Sequence, residues 1–520
     1  MSKREIELKL MVNAGTLKRL RDQSGPKGYA VASATLKKLR SVYFDSENHD
    51  FRSAKTTLRV RQIGPNWIQT VKAGRTLNAG LSSTMEYESD ANGPLPDASL
   101  IPPNTLSKKL MGLIDQKRVG PVFETEIYRA IKVFSTNEGD EIEVSFDIGE
   151  ARAGKKQAPI SEVELELTQG SPRALYSLAK HIIGSQSFTF SMRSKADLGY
   201  RLARNQPTLP PTSSKEVGRL SLTKDMKNSE AFQLILRACM ERIVHARGQV
   251  IDGDHHCGTQ QLHQALNLLS ATFVIYKDML DKDQVKPLAS IARHLIGRVL
   301  ELRKRETVAS DTVASLETAS PLPESLELIL SHACEALCSS QRDLRMELRR
   351  KQTNGFLFDL GSFIEVKQWK EHRAFQEGPI TKMPLEEFAR ETMRKRWKAC
   401  LRGIKGITKR APVLENGFDR NLKRFISALD IFGSLFPPES TEPFIKTLSK
   451  VQASYQLAAY STVCERFLLQ NSSHILPESE VLMAHRFIAD WHKAQTSDKL
   501  RELVEDWEHL QTLPKFWKMK

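Results

Sequence analysis

A strict alternation of charged and apolar side chains near the start of the chain is the strongest constraint on its fold. In the segment KREIELKLMV, residues 3–12, Glu5, Glu7 and Lys9 occupy every second position, and mostly aliphatic residues stand between them. Successive side chains of a β-strand point to opposite faces of a sheet. The period of two therefore predicts a strand with one charged face and one apolar face.

The same alternation recurs to about residue 170, in segments separated by turn-rich stretches such as QIGPN and DANGPLPD. One reading is a set of half-exposed antiparallel strands whose charges face water. However, one predicted strand is solidly acidic and another carries paired arginines, and such segregation favours a shared interior that holds both an anion and a cation. The charged positions are Arg59, Arg61, Lys72, Glu86, Glu88, Arg129, Glu141, Glu143, Asp147, Glu162, Glu164 and Glu166.

A closed barrel would create such an interior, because alternate residues of every strand point inward and about eight strands leave room for a small ligand. Isolated buried charges are costly, so this interior must stay hydrated or hold matching ions. A polyphosphate with a divalent metal supplies both signs: Arg and Lys bind phosphate oxygens, and clustered carboxylates bind Mg²⁺ or Mn²⁺.

The second half of the chain follows a different pattern. The Pro- and Ser-rich stretch Asn205–Val217 is typical of a linker. Beyond it apolar residues recur at helical spacing, for example Phe232, Ile235, Leu236 and Cys239, which predicts an all-α domain of the helical-bundle class. The predicted organisation is a first domain over 1–204, a linker over 205–217 and a helical domain over 218–512.

Composition narrows the classes of partner and compartment. The formal charge of +15 and the pI of about 9.4 favour anionic partners. There is no apolar run of 18 residues and the start MSKREIE lacks a signal-peptide pattern, so we expect a cytoplasmic protein without a membrane partner. Six sparse cysteines fit reduced thiols, and the i,i+4 pair Cys334 and Cys338 is expected in a helical core rather than in a zinc site.

Nine ordered motifs between residues 3 and about 201 resemble the CYTH family, the triphosphate tunnel metalloenzymes. The first is EIELK, which matches the family signature E-x-E-x-K. The others are YFDS, LRVR, WIQTVK, GLSSTMEYE, FETEIYR, IEVSFDIGE, PISEVELEL and SKADLGY. The resemblance implies an α+β domain with an eight-stranded antiparallel tunnel flanked by helices, and hydrolysis or transfer at a triphosphate.

The resemblance also implies roles for individual residues, which match the family motifs position by position. Glu86 matches a further tunnel carboxylate, and Thr84 stands where closely similar proteins commonly have an arginine. The implied metal ligands are Glu5, Glu7, Glu143, Asp147, Glu164 and Glu166. The implied phosphate-binding residues are Lys9, Arg59, Arg61, Lys72, Arg129 and Lys195, and the implied catalytic set is Glu5, Glu7, Lys9, Arg59 and Arg61.

The helical half resembles a degenerate CHAD domain, the usual companion of CYTH in bacterial two-domain proteins. The hallmark of that family is a His followed by basic residues in each of two related halves. His263 is present in the first copy, but Leu266, Ser270 and Ala271 hold expected basic positions. In the second copy Asn416 replaces the His, while Lys423 and Arg424 remain. Polyphosphate binding on this half is therefore discounted, although the basic segment 391–410 leaves anion binding open.

The expected function is that of a bacterial CYTH-CHAD inorganic triphosphatase, which hydrolyses tripolyphosphate to pyrophosphate and orthophosphate with Mg²⁺, or with Mn²⁺ as the alternative. Thiamine triphosphate and nucleoside triphosphates are competing substrates, and Trp67 or Tyr87 would then have to provide an aromatic contact for the organic group. The alternative of a different class is a non-enzymatic scaffold that binds polyphosphate or RNA, although nucleic acid is disfavoured as a partner.

Overall fold

The computed structural model describes residues 3–32, 35–78, 80–103, 105–191, 193–206, 220–252, 255–307, 324–404, 416–472, 477, 479–480, 486 and 501–518. These residues form two compact units. The first unit contains the described residues up to 206 together with Arg349–Lys367, and the second contains the other described residues from 220 onward. Most of the predicted linker, from residue 207, lies outside the described residues.

Eight strands of the first unit close into an antiparallel barrel, as the sequence predicts. Around the barrel the order is β1-β6-β5-β4-β3-β7-β8-β9, and pairing of β9 with β1 closes the ring. Two short strands lie off this ring: β2 pairs with β7, and β10 pairs with β1. The strands are β1 (Lys3–Met11), β2 (Tyr29–Val31), β3 (Thr35–Ser46), β4 (Thr57–Ile63), β5 (Asn66–Asn78), β6 (Leu81–Ala91), β7 (Val119–Thr136), β8 (Glu141–Ala153), β9 (Lys156–Gln169) and β10 (Thr189–Phe190).

The outer face of the barrel is apolar and packs on helices. Leu58, Val60 and Val71 are fully buried in one cluster with residues of a short helix, of which Leu110 and Leu113 are examples. The alternation of each strand therefore places its aliphatic residues in the shell and its charged residues in the interior. The helices of this unit are α1 (Ala14–Asp22), α2 (Asp50–Ser53), α3 (Lys108–Asp115), α4 (Pro172–Ile183), α5 (Lys195–Ala203) and α10 (Lys351–Val366).

Helix α5 packs against one end of the barrel interior. Tyr43 and Phe123 occupy interior positions of β3 and β7, and their rings stack with centroids 4.4 Å apart. Tyr200 of α5 contacts the Phe123 ring edge-on at 5.1 Å and donates a 2.6 Å hydrogen bond to Asp45. A capping box at Ser194 fixes the start of the helix. The interior therefore has an apolar part around Tyr43 and Phe123 as well as its charged part.

The second unit is helical in its described residues, which agrees with the predicted all-α class. Its core holds many aromatic rings, including the stacked pair Trp397 and Trp507 at 5.3 Å. The core prediction for Cys334 and Cys338 is wrong, because both thiols are exposed on one face of their helix. The helices are α6 (Asn228–Asp252), α7 (His255–Ile275), α8 (Lys282–Thr307), α9 (Glu324–Arg349), α11 (Arg373–Glu377), α12 (Pro379–Lys382), α13 (Leu385–Ile404), α14 (Asn416–Phe432) and α15 (Pro438–Ser472).

Membrane-spanning character was sought in the helices of the described residues. None of them combines sufficient length with sufficient apolar content to cross a bilayer.

Candidate active site

The charged face of β1 lies inside the barrel. Glu5, Glu7 and Lys9 are 5–7% exposed, although each carries a charge. The Lys9 ammonium lies 2.6 Å from Glu164 and 3.1 Å from Glu7, and Glu7 also accepts a 2.8 Å hydrogen bond from Ser82. Burial opposes the charged form of Lys9, but Glu164, Glu7 and Glu162 raise its pKa well above the ordinary value.

Three carboxylates of β8 and β9 surround the ammonium of Lys195. Its Nζ atom lies 2.8 Å from Asp147 and 2.7 Å from Glu164, and it also contacts Glu162. Arg129 binds Asp147 with two hydrogen bonds of 2.6 and 2.7 Å and reaches Glu164 at 2.6 Å. The oxygens of Asp147, Glu162 and Glu164 lie within 4.8 Å of one another, as metal ligands do, but in this arrangement Lys195, Arg129 and Lys9 already bind them.

The pKa values of this cluster follow from burial and from the surrounding cations. Burial would raise the pKa of Glu164, but Lys195, Lys9 and Arg129 hold it well below the ordinary value. The pKa of Asp147 is lowered in the same way by Lys195 and Arg129. Burial raises the pKa of Glu162 despite the nearby Lys195. The centre of the cluster is therefore ionised and neutralised internally.

Lys72 connects β5 to the carboxylates of two neighbouring strands. Its Nζ atom lies 2.5 Å from Glu5 on β1 and 3.1 Å from Glu86 on β6. Arg59 shares the side of the barrel where Glu86 lies, but its closest contact with that carboxylate is 3.8 Å. Glu86, which the family resemblance suggests as a tunnel carboxylate, therefore forms an ion pair with the predicted phosphate-binding residue Lys72.

Arg59 is buried with incomplete hydrogen bonding. Its Nη2 atom donates to Thr70 at 2.9 Å and lies 3.4 Å from Glu88, and the side chain also hydrogen bonds with Tyr43. Its Nε atom is buried and has no hydrogen-bond partner among the described residues. A buried guanidinium donor without an acceptor is unfavourable, which indicates that the site is complete only with an additional acceptor.

Arg61 carries a positive charge that its surroundings oppose. Its Nε atom donates a 3.0 Å hydrogen bond to Ser41, and no carboxylate among the described residues lies within 4.0 Å of it. Burial, together with the nearby positive charges of Arg59 and Arg129, lowers the pKa of Arg61 to about 9. The fold therefore holds a cation where the surroundings oppose positive charge, as expected for an anion-binding site before the anion is bound.

A row of carboxylates lies across β1, β9 and β8 on the interior face. Glu7 pairs in register with Glu166, and Glu166 pairs with Glu143. Directly opposed residues of antiparallel strands have Cα atoms about 4.5–5.5 Å apart, so these three side chains can converge on one cation. Glu143 has no ion pair within 4.0 Å among the described residues. Clustered carboxylate oxygens are the ligands that Mg²⁺ and Mn²⁺ prefer, so this row fits a divalent metal.

All the residues predicted for the site lie on strands of the barrel or at the start of α5, in positions that face the interior. Sequence reasoning missed the hydroxyl groups of Ser41, Thr70 and Ser82, which bind Arg61, Arg59 and Glu7 respectively. Their positions share the period of the charged residues, so the phase of alternation was a signal that could have identified them.

The two aromatic residues considered as contacts for an organic group lie on the other face of the barrel. Trp67 and Tyr87 pack against the outer apolar cluster that contains Leu58 and Val71. Neither ring lines the charged interior.

His263 lies in the second unit, where it is 5% exposed. Its ring nitrogens contact Asn267 at 3.1 Å and Arg303 at 3.2 Å. Burial lowers its pKa to about 3, with further contributions from Arg303 and Lys423, so the ring is neutral near pH 7. Leu266, at a position where a basic residue was expected, is fully buried, which explains the absence of charge there.

Comparison with protein families agrees with the order of these two units. The CYTH domain family matches residues 3–194, and the CHAD domain family matches residues 234–468. The chain contains a CYTH domain followed by a CHAD domain. The charged barrel is the CYTH domain, and the helical unit carries the CHAD match.

Similar proteins include one curated relative and two solved structures. An inorganic triphosphatase of Haemophilus influenzae is 31% identical over 170 residues, which cover 32% of this chain and about half (47%) of that relative. The solved CHAD domain of the plant Ricinus communis is 18% identical, with a TM-score of 0.46, over 57% of this chain and 96% of that structure. A putative adenylyl cyclase from Hippeastrum, described as having a dominant triphosphatase activity, is 19% identical with a TM-score of 0.30, over 40% of this chain and 99% of that structure.

Proposed function

We propose that the CYTH domain is a metal-dependent hydrolase of inorganic triphosphate. The observation that carries this proposal is the half-buried Arg61, which lies close to other guanidinium groups and has no carboxylate partner in the described structure. The open donor of Arg59 adds a second point at which an anionic oxygen would complete the site. The name of the Haemophilus relative supports the choice of substrate.

The distribution of charge supports a metal–phosphate complex rather than a simple anion. Carboxylates outnumber cations in the interior, so a polyanion alone would add repulsion. Glu7, Glu143 and Glu166 would hold the metal, with Glu5 and Glu164 on neighbouring interior positions. Held by these carboxylates, a divalent cation would neutralise phosphate charge and would lower the pKa of an attacking water. Asp147 is bound by Arg129 and Lys195, so we assign it to the organisation of these cations.

The cationic residues would bind and orient the phosphate chain. Arg59 and Arg61 offer donors at the terminal phosphoryl group, and Lys72 and Lys9 offset charge on the bridging and leaving oxygens. Water adds to the terminal phosphorus, the P–O bond to the bridging oxygen breaks, and the products are orthophosphate and pyrophosphate with release of the water proton. Fixed donors in a partly desolvated barrel stabilise the charge that develops on the transferred group.

The interior favours an inorganic chain over thiamine or nucleoside triphosphates. Its described aromatic residues, Tyr43 and Phe123, stack on each other and are only 5% and 4% exposed, so they offer little ring surface to a base or a thiazolium group. Trp67 and Tyr87 belong to the outer cluster.

The test is phosphate release from tripolyphosphate with Mg²⁺ by the full-length protein. Glu7→Gln and Arg61→Ala are each expected to lower kcat/KM at least 100-fold, which is the usual scale for losing one preorganised electrostatic contact. Glu47→Gln and Arg173→Ala make the same kinds of change at exposed positions and should leave the rate unchanged. Wild-type rates in both interior variants, or an undiminished rate in EDTA, would refute the proposal.

A further inference from the structure

Helix α10, Lys351–Val366, belongs to the CYTH unit although it lies in the middle of the sequence of the helical half. It packs on α4, and two of its residues fit that helix closely. A Cβ atom on Gly361 would lie 2.4 Å from the Tyr176 ring, and Asp359 forms a 2.7 Å ion pair with Lys180. The helix is thus matched in shape and charge to the tunnel domain.

Asn354 fixes the N-terminal part of this helix to the end of α4. Its side chain is 1% exposed, and its Nδ2 atom donates 3.0 Å hydrogen bonds to the carbonyl oxygens of Gly184 and Gln186. These carbonyls follow the last turn of α4, where φ at Gly184 is 53° and the helical hydrogen-bond ladder has ended. Asn354 therefore donates hydrogen bonds to two carbonyl oxygens that lie beyond the hydrogen-bond ladder of α4.

Phe358 connects α10 to the strand that carries the E-x-E-x-K signature. Its ring stacks on Phe188 at 5.0 Å and contacts Phe190 at 5.5 Å. Phe190 lies in β10, which pairs with the end of β1 in the register Leu10 with Phe190. The contact from α10 therefore reaches β1 through one intervening strand.

The backbone of Lys9 is hydrogen bonded through both its carbonyl oxygen and its amide. Ser191, just after β10, donates a 2.9 Å hydrogen bond to the carbonyl oxygen of Lys9, and the Lys9 amide donates a 2.9 Å bond to Gly80. Gly80 fits tightly, because a Cβ atom there would lie 2.7 Å from the Phe190 ring. The Lys9 side chain in turn contacts Glu164 and Glu7 inside the barrel.

We infer that helix α10 is a positioning element for the CYTH site, and that Phe358 and Asn354 fix the backbone of Lys9 through β10. Neither residue touches substrate. Displacement of a binding group by about 1 Å can lower a rate about 100-fold, so a contact outside the barrel can control the reaction inside it. The kinetic part of this inference rests on the proposed function, whereas the positioning of Lys9 can be measured without catalysis.

The experiment uses the full-length protein with Phe358→Ala and measures two properties. One is hydrogen exchange of the Ser191 and Lys9 amides, and the other is kcat and KM for tripolyphosphate with Mg²⁺ at a temperature at which the protein stays folded. We expect exchange at Ser191 to become at least tenfold faster and KM to rise at least fivefold. Phe358→Leu, which keeps most of the packing volume, should restore both properties substantially.

Phe418→Ala in the helical unit is the matched control, because Phe418 is also 1% exposed and the change is the same. It should alter neither exchange at Ser191 nor KM. Wild-type exchange and kinetics in Phe358→Ala, or equal effects of Phe418→Ala, would overturn the inference. If Phe358→Ala does not fold, Asn354→Ser removes the two hydrogen bonds without a large cavity and is judged by the same criteria. If the wild type releases no phosphate, the proposed function fails, and hydrogen exchange still decides this inference.

Discussion

Two Arg→Gln substitutions in the same barrel are expected to change stability in opposite directions. Arg61 is charged in surroundings that oppose its charge, and burial with the neighbouring guanidinium groups lowers its pKa from 12.5 to about 9. Arg129 is bound to Asp147 and Glu164, and these carboxylates raise its pKa well above the ordinary value despite burial. Glutamine removes the charge at either position and keeps a hydrogen-bond donor.

The magnitudes follow from these environments. The lowered pKa of Arg61 corresponds to about 5 kcal/mol of unfavourable interaction of its charged form as an upper bound. Water in the interior screens part of this, so we expect Arg61→Gln to stabilise the unit by about 1–3 kcal/mol. Arg129→Gln leaves buried carboxylates without their partner, which typically costs about 3–5 kcal/mol. For a unit of this size, 1 kcal/mol shifts the thermal midpoint by about 2–4 °C.

The assay is thermal unfolding of the full-length protein at pH 7.5, followed at the transition that tripolyphosphate with Mg²⁺ shifts, with tripolyphosphate in large excess so that hydrolysis does not exhaust it. We expect a higher midpoint for Arg61→Gln, a lower midpoint for Arg129→Gln, and loss of the tripolyphosphate shift in Arg61→Gln. If Arg61→Gln unfolds at a lower temperature, as Arg129→Gln should, then Arg61 is satisfied without ligand and the reasoning fails. A full tripolyphosphate shift in that variant would equally contradict the assignment of Arg61 to phosphate binding.

Three further predictions concern other parts of the chain. Mg²⁺ should raise the thermal-unfolding midpoint of the CYTH unit, EDTA should reverse this rise, and the rise should be much smaller in Glu143→Gln. Equal rises in the wild type and in Glu143→Gln would contradict the carboxylate row as the metal site. Gly199→Ala should destabilise the same unit by about 1–3 kcal/mol in denaturant titrations, because its Cβ atom would lie 2.0 Å from the Phe123 ring. The pKa of His263 is about 3 in the folded protein, below its unfolded value, so the folded state favours the neutral ring and the free energy of unfolding falls as pH drops below about 6.5. His263→Gln should therefore reduce this fall between pH 6.5 and pH 5 by up to about 1.4 kcal/mol per pH unit. If the free energy of unfolding depends on pH as in the wild type, the ring takes up a proton in the folded state as it does in the unfolded state.

The barrel itself could be predicted from sequence because one physical rule governs every strand. Alternation places Leu8 and Leu10 in the apolar shell and the charged residues of β1 inside. Repetition of this pattern with segregated charges then favours closure over an open sheet. The period also fixes which charged residues can meet, since a shift of one residue would reverse the faces of a strand.

The role of α10 could not be predicted, because the helical pattern of 351–366 resembles that of its neighbours in the chain. Periodicity shows that a helix has an apolar face but does not show which partner covers it. The same limit explains the error at Cys334 and Cys338. Their i,i+4 spacing correctly predicted that they share one face of a helix, but that face is exposed rather than buried.

Arg129 and Arg61 differ in their electrostatic surroundings because the register of the strands gives them different opposed residues. Arg129 of β7 is opposed by Asp147 of β8, so its neutralising partner is built into the sheet. Arg61 of β4 is opposed by Ser41 of β3 and Ile68 of β5, neither of which carries charge. Composition alone would treat both residues as interchangeable cations of one interior. Because the strand pairing places a carboxylate opposite Arg129 and none opposite Arg61, the fold separates a cation that is neutralised within the sheet from the cation that we propose binds phosphate.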